Sequence, residues 1–215
     1  EQVVILDFGS QYTQVIARRI RECKVYSEIL PYNTPASEIA AMNPKGIILS
    51  GGPSSVYSRK APLPDKKIFE LGIPILGICF GIQVMAKFLN GKVERGQKRE
   101  YGKGTLSVKK SRCRLFAGLP KQLQVWNSHG DKITELPQGF KTVATTENSK
   151  FAAIENEKSR YFGLQFHPEV VHTPKGKTII SNFVHKICGC GRKWTMRNYV
   201  DQAVEQIREQ VGKEK

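Results

Sequence analysis

The sequence predicts an α/β fold in which a mostly parallel central sheet is flanked by helices and extended by antiparallel strands. In the first half, short apolar runs alternate with segments of helical periodicity, a pattern typical of parallel strands joined by crossover helices. Between residues 92 and 166 the helical periodicity fades, and short alternating segments predict further strands of the same sheet. With 215 residues and 40% hydrophobic side chains, the chain can bury a core without disulfides or a metal.

The first half holds four predicted strands and four predicted helices. The strands are residues 3–8, 24–30, 46–50 and 73–78, and the helices are 11–23, 37–42, 65–71 and 80–89. Ser37 is expected to cap the second helix, and Asn90 with Gly91 is a favourable left-handed stop for the fourth.

The second half contains shorter strands and two closing helices. The predicted strands are 104–109, 122–126, 141–145, 151–155 and 160–166, and the helices are 177–187 and 198–211. The last helix carries a narrow apolar stripe on a charged cylinder, made of Tyr199, Val200, Ala203, Val204, Ile207 and Val211. Because Gly191 to Trp194 is typical of a joint, we expect residues 1–190 to form one domain. Residues 191–215 then form the joint and a helix that leads toward a further domain.

Positive charge is the most unusual property of the composition. The 34 Lys and Arg residues exceed the 19 Asp and Glu residues by 15. This excess of positive charge favours anionic partners, and the alternative is a solvated basic surface without a specific partner. The densest basic cluster, Lys92 to Lys110, is interpreted as a loop and a strand edge. It lacks the interleaved aromatic residues of a single-strand binder, so a nucleic-acid partner is not favoured.

The cysteine content and the absence of long apolar runs bear on the compartment. No run approaches ~18 apolar residues, which excludes a typical membrane-spanning helix. The first residues lack the pattern of a signal peptide, and the five cysteines are irregularly spaced. We therefore expect free thiols, no membrane partner and a cytoplasmic location. Cys188 and Cys190 alone are too few ligands for a zinc site, so no metal is predicted.

The strongest candidate nucleophile is Cys79, within Gly77-Ile78-Cys79-Phe80-Gly81. This segment lies where an apolar strand gives way to a helix, which is the arrangement of a nucleophile elbow. The helix N-terminus favours the thiolate, the reactive form of cysteine. A buried structural cysteine is the alternative for Cys79 taken alone.

A thiol nucleophile needs a base, and His167 is the best candidate. Pro168 favours an extended conformation at His167, so Glu169, two residues on, is expected to face the same way and orient the imidazole. His129, in the polar segment 126–131, is the rival base. The turn Ser50-Gly51-Gly52 follows the third strand and offers backbone N–H groups for an oxyanion. Its first residues also match the SGGxDS loop that binds pyrophosphate. However, Pro53 follows the glycines and the Asp of that loop is absent, which argues against ATP binding here.

The motifs SGGPSSV, GICFG, WNSHGD and QFHPEV together resemble those of the class I glutamine amidotransferases, and the resemblance covers residues 3 to 211. The segment HTPKG, the ICGC run and the Trp194 joint are more closely similar to the GMP synthetases within that family. The resemblance implies a flavodoxin-like fold and hydrolysis of L-glutamine to glutamate and ammonia through a cysteine thioester.

The resemblance also implies a role for each matching residue. Cys79 is the nucleophile, His167 the base and acid, and Glu169 the orienting carboxylate. The backbone N–H groups of Gly52 and Phe80 form the oxyanion hole. The positions that hold the glutamine backbone are Ser54, Gln83, Ser128, Gly130 and Asp131.

By the same resemblance, no cofactor is expected in this chain. Ammonia would pass to an ATP-pyrophosphatase (synthetase) domain or subunit, which uses ATP and Mg²⁺ to aminate XMP to GMP. Two alternatives stay open at this point: a glutaminase or γ-glutamyl hydrolase that serves another acceptor, and a basic binding or regulatory module that has the fold without turnover.

Overall fold

One nine-stranded mixed sheet forms the centre of the computed structural model, which describes residues 1–109 and 112–212. For residues 97–99, 199, 201–203, 206 and 209–210 it describes the backbone only. The strands are β1 (Gln2–Asp7), β2 (Tyr26–Pro31), β3 (Gly46–Leu49), β4 (Ile75–Ile78), β5 (Lys92–Val108), β6 (Gln122–Glu135), β7 (Lys141–Thr145), β8 (Ala153–Asn156) and β9 (Tyr161–Leu164). Their order across the sheet is β2-β1-β3-β4-β9-β8-β7-β5-β6.

The sheet has a parallel half and an antiparallel half that meet at β9. Strands β2, β1, β3, β4 and β9 are parallel neighbours, whereas β8, β7, β5 and β6 continue the sheet with antiparallel pairs. The predicted fold class is therefore confirmed. The parallel strands all end at one edge, where loops from several strands converge on a ligand in folds of this kind.

Helices cover both faces of the sheet. They are α1 (Thr13–Glu22), α2 (Ala36–Ala41), α3 (Phe80–Phe88) and α4 (Gly176–Ser181), and a fifth helix, α5 (Met196–Val211), follows near the C-terminus. One apolar cluster packs α1, α4 and the residues that follow α4 on one face, and a second packs α2 and α3 on the other. Burial on both faces explains why β1, β3 and β4 are continuous apolar runs rather than alternating ones.

Several local predictions were wrong in detail. Ser37 does not cap α2: the helix begins one residue earlier, and the Asp65 carboxylate, 29 residues away in sequence, accepts from the Ala36 N–H at 3.0 Å. Asp65 also caps the helix Lys66–Glu70, which was predicted as a short helix over residues 65–71 and is a 3₁₀ helix. The predicted helix 177–187 is α-helical only to Ser181 and continues with π-helical bonds over Asn182–Ile187.

The largest difference from the sequence prediction is the β5–β6 hairpin. Residues 92–108 form one long strand with a register shift between Arg95 and Glu100, not a loop and strand edge; Lys110 lies outside the described residues. The polar segment 126–131 lies inside β6 rather than at a strand end. Both strands are rich in polar residues, and β5 also contains Gly96, Gly102 and Gly104, so much of their length lacks the apolar alternation that marks a strand in sequence.

The C-terminal region is attached to the domain through residue 194. The Gly191 N–H donates to the Glu1 carboxylate at 2.7 Å, and the Trp194 N–H donates to the Lys24 carbonyl at 3.1 Å. Within residues 1–109 and 112–212, no helix is long and apolar enough to cross a membrane.

The apolar stripe of α5 faces outward where its side chains are described. Its exposed members are Val200, Val204, Ile207 and Val211. The side chains of Tyr199 and Ala203 lie outside the described part of the chain.

Candidate active site

Cys79 lies on a strained turn between β4 and α3. Its φ of 52° and ψ of −103° place a non-glycine residue in a region that side chains rarely adopt. The turn is held by the Cys79 N–H, which donates to the Leu164 carbonyl on β9 at 2.7 Å. The thiol is thereby raised above the carboxyl edge of the parallel strands, as the predicted elbow requires.

Glycines beside Cys79 allow α3 to approach the sheet. A Cβ at Gly77 would lie 2.7 Å from backbone atoms of Gly81, and a Cβ at Gly81 would lie 2.3 Å from the Leu49 carbonyl oxygen. Neither neighbour is the end of a flexible side chain, so a larger residue would push the helix away. These contacts give the glycines of the GICFG motif a physical reason.

His167 and Glu169 form a buried pair beside the thiol. The Nδ1 atom of His167 lies 2.7 Å from Oε1 of Glu169, and the Glu169 side chain is fully buried. The other side of the imidazole is within hydrogen-bonding reach of Cys79. The Cys79 Sγ atom also lies 3.6 Å from the Ser128 carbonyl oxygen.

The surroundings of His167 favour its protonated form. Burial alone would lower the pKa of His167, but hydrogen bonds with Cys79 and Glu169, and their negative charges, outweigh burial and raise the pKa well above its usual value. At neutral pH an imidazolium therefore faces the sulfur, and a neighbouring cation stabilises a thiolate.

A set of hydrogen bonds holds the backbone of His167 and Glu169 in place. The His167 N–H donates to the Trp126 carbonyl at 2.9 Å, and the Thr173 hydroxyl donates to the His167 carbonyl at 2.6 Å. The same hydroxyl accepts from the Trp126 N–H at 3.0 Å. Arg19 on α1 donates to the Glu169 carbonyl at 3.0 Å. The backbone beside the imidazole of His167 and the carboxylate of Glu169 is thus fixed by hydrogen bonds from β6, Thr173 and α1.

A cleft of about 580 Å³ opens above Cys79 and His167, within the ~300–1,000 Å³ typical of ligand pockets. Glu169 lies behind His167 and does not line the cleft. The other nine of the ten predicted site residues do: Gly52, Ser54, Cys79, Phe80, Gln83, Ser128, Gly130, Asp131 and His167. The structure thus brings together residues from distant parts of the sequence.

Gly52 and Phe80, two residues that line the cleft with Cys79, have backbone N–H groups without an acceptor among the described residues. Phe80 is the first residue of α3, where an N–H has no intrahelical acceptor. Within the part of the chain that the structure describes, nothing accepts from the N–H groups of Gly52 or Phe80. Gly52 lies close to the residue that follows β1, since a Cβ there would lie 2.8 Å from the Phe8 carbonyl oxygen. Both N–H groups are therefore free to donate to a further acceptor.

The sequence prediction missed part of the cleft wall. The Tyr12 ring contacts the His167 ring edge-on, with centroids 5.2 Å apart. The position of residues 9–12 directly after an apolar strand was the available signal. The lining residues that were missed are Gly9, Ser10, Gln11, Tyr12, Pro53, Ser55, Arg95 and Tyr101.

The rival base His129 lines the same cleft but has other partners. Its Nε2 atom lies 3.1 Å from Glu100 Oε2, and its Nδ1 atom lies 3.1 Å from the Asp131 carbonyl oxygen. Among the residues described, the contact with Cys79 is made by His167, so the geometry favours His167 as the base. No group of three or more His, Cys, Asp or Glu residues in the described ranges is placed to hold a metal ion.

The chain is similar in sequence to known proteins. The family model for class I glutamine amidotransferases matches residues 4–187. Glutamine-hydrolysing GMP synthases of Acetivibrio thermocellus and Carboxydothermus hydrogenoformans are 51% and 54% identical over 215 and 214 residues, which is 100% of this chain in both cases. The chain spans 42% of the length of each of these relatives.

Solved structures show the same fold. A protein from Thermoplasma acidophilum, described as a GMP synthase subunit, superposes with a TM-score of 0.79 and 32% identity, covering 87% of this chain and 94% of that one. A glutamine amidotransferase from Thermotoga maritima gives a TM-score of 0.69 at 21% identity, covering 88% and 98%, and this match supports the fold alone. The chain belongs to the class I glutamine amidotransferase family.

Proposed function

We propose that this chain hydrolyses the side-chain amide of L-glutamine, with Cys79 as nucleophile, His167 as acid and base, and Glu169 as the residue that orients His167. The observation that carries the proposal is the line of thiol, imidazole and buried carboxylate at the base of one cleft. The family membership makes glutamine the expected substrate.

In the first step, the Cys79 sulfur attacks the amide carbon and the carbonyl oxygen becomes an oxyanion. The N–H groups of Gly52 and Phe80 donate to that oxygen. The imidazolium of His167 then gives its proton to the leaving nitrogen, so ammonia departs and a γ-glutamyl thioester remains on the sulfur.

In the second step, neutral His167 takes a proton from a water molecule, and the resulting hydroxide attacks the thioester carbon. Glutamate leaves and the thiolate returns. Glu169 keeps one nitrogen of the imidazole oriented throughout and stabilises the imidazolium. Neither step uses a cofactor. The polar groups of Ser54, Gln83, Ser128, Gly130 and Asp131 line the cleft where the α-amino and α-carboxylate groups of glutamine would bind.

The direct test is glutamate release from glutamine by the parent chain, by Cys79→Ala and by Cys113→Ala as a matched control. Cys113 is buried in the core and does not line the cleft. We expect loss of activity in Cys79→Ala and an unchanged rate in Cys113→Ala. Equal rates in the parent and Cys79→Ala would overturn the proposal.

We further propose that the ammonia serves an ATP- and Mg²⁺-dependent amination of XMP to GMP, carried out in the cytoplasm by a synthetase domain or subunit. The names of the relatives and the fraction of their length that this chain spans support this partner. The joint at residues 191–194 and the exposed stripe of α5 are the part of the chain that would lead to it.

The acceptor can be identified by adding a separately purified ATP-pyrophosphatase chain. With XMP, ATP and Mg²⁺ present, glutamine-dependent GMP formation is expected, and glutamine hydrolysis is expected to rise. Glutamine hydrolysis without GMP formation would favour a glutaminase that serves another acceptor.

A further inference from the structure

Ser50 is a buried serine that connects the residue after β1 with the turn after β3. It directly follows β3, and its exposed fraction is 0%. The Ser50 hydroxyl accepts from the Phe8 N–H at 3.0 Å and donates to the Gly51 carbonyl oxygen at 2.9 Å. A hydroxyl has a single proton. Because Phe8 supplies the proton of the first bond, the proton of Ser50 is committed to Gly51.

The bond from Ser50 sets the direction of the peptide group between Gly51 and Gly52. This peptide is trans, so its carbonyl and its N–H point in opposite directions. With the Gly51 oxygen held by the buried Ser50, the Gly52 N–H points away from Ser50. Gly52 lines the cleft, and within the described ranges its N–H has no acceptor. The hydrogen bond of Ser50 thus decides which face of this peptide is free.

Two consecutive glycines do not fix the orientation of the peptide between them. That orientation is set by ψ of Gly51 and φ of Gly52, and glycine adopts a wider range of both angles than other residues do. Residues with side chains would be crowded here. A Cβ at Gly51 would lie 3.1 Å from Cε1 of His167, and a Cβ at Gly52 would lie 2.8 Å from the Phe8 carbonyl oxygen. The turn therefore needs a restraint from outside the two glycines, and the Ser50 hydroxyl supplies one.

We propose that Ser50 is a positioning residue for glutamine hydrolysis, whose hydroxyl holds the Gly51–Gly52 peptide so that the Gly52 N–H can donate to the oxyanion. Ser50 itself does not line the cleft. Rotation of the peptide by half a turn would place the Gly51 carbonyl oxygen where the N–H had been, and that oxygen would repel the developing negative charge. The inference rests on the proposed function, because the oxyanion forms only when Cys79 attacks the amide.

The positioning role is tested by steady-state kinetics of glutamate release in Ser50→Ala. Loss of the buried hydrogen bond should lower kcat by about 10- to 100-fold, because fewer molecules hold the peptide in the productive orientation. We expect KM for glutamine to stay within about threefold, because the side chains that line the cleft are unchanged. An unchanged kcat, or a rise in KM as large as the fall in kcat, would contradict the inference.

Alkylation of Cys79 by iodoacetamide separates the oxyanion from the nucleophile. In this reaction the thiolate sulfur bonds to the methylene carbon and iodide leaves, so no oxyanion forms. The alkylation rate of Cys79 in Ser50→Ala should therefore stay within about twofold of the parent rate at neutral pH. If alkylation slowed as much as glutamate release, the substitution would have disturbed the whole site, and the positioning role would be refuted.

Ser27→Ala is the matched control for the loss of a buried hydroxyl. Ser27 on β2 is also 0% exposed, and its hydroxyl donates to the Ala17 carbonyl at 3.1 Å, but Ser27 does not line the cleft. The two alanine variants should shift the urea midpoint by similar amounts, whereas kcat of Ser27→Ala should match that of the parent. A fall in kcat equal to that of Ser50→Ala would show that lost stability is the cause, and would overturn the inference.

A second substitution keeps the test decisive if Ser50→Ala does not fold. Ser50→Cys retains a side chain of similar shape but replaces a strong hydrogen-bond donor with a weak one. We expect its kcat to fall below that of the parent, with the alkylation rate of Cys79 retained, and an unchanged kcat would contradict the inference. Glutamate release that persists in Cys79→Ala would instead overturn the proposed function.

Discussion

The pairing of Cys79 with His167 predicts an unusual pH dependence for alkylation of the thiol by iodoacetamide. Thiolate is the reactive form, and a free thiol with a pKa of about 8.5 is about 1% ionised at pH 6.5 and about 10% at pH 7.5. The alkylation rate of a free thiol therefore rises about tenfold between pH 6.5 and pH 7.5. Because Cys79 and Glu169 raise the pKa of His167 well above this range, the imidazolium persists and the sulfur stays next to a cation.

We therefore expect the alkylation rate of Cys79 to change by less than about twofold between pH 6.5 and 7.5 in the parent. In His167→Gln the cation is absent, and the tenfold rise of a free thiol should return. Mass spectrometry of peptides separates Cys79 from the other cysteines. Burial raises the pKa of Cys113 to about 12 and that of Cys190 to about 11, so both should react slowly. A tenfold rise in the parent would refute the ion-pair reasoning.

Three further predictions concern the residues that hold the site. Glu169→Gln should lower kcat for glutamate release by about 10- to 100-fold through loss of a charge-assisted hydrogen bond. His167→Ala should lower kcat by about 10³-fold or more. A larger fall in Glu169→Gln than in His167→Ala would indicate another base. Thr173→Val removes both hydrogen bonds of the hydroxyl and should lower the free energy of unfolding in urea by about 1–3 kcal/mol, whereas Thr173→Ser should match the parent. Gly81→Ala should cost about 1–3 kcal/mol and most of the activity, because its Cβ meets the Leu49 backbone. Gly118→Ala meets no atom within 4 Å and should cost only the strain of its positive φ, with activity kept.

The parallel half of the sheet and the proximity of Cys79, His167 and Glu169 were accessible from the sequence because their signals are local. Apolar runs identify β1, β3 and β4, and the glycines around Cys79 identify the turn that follows β4. His167 and Glu169 are two residues apart, so an extended backbone alone brings them to one side.

Features that depend on distant partners were not accessible. The cap of α2 comes from Asp65 rather than from Ser37, because a carboxylate from another loop satisfies the first N–H of the helix. The β5–β6 hairpin pairs polar residues, and the contact between Glu100 and His129 exists only in that register. Polar strands of this kind look like loops in a single sequence.

The central claim is that Cys79 attacks the side-chain amide carbon of glutamine, and an electrophilic glutamine analogue tests it most directly. A chloroketone in place of the side-chain amide should form one adduct, at Cys79, and excess L-glutamine should slow its formation. An adduct at Cys23, Cys113, Cys188 or Cys190, or a rate at Cys79 that glutamine does not change, would contradict the account.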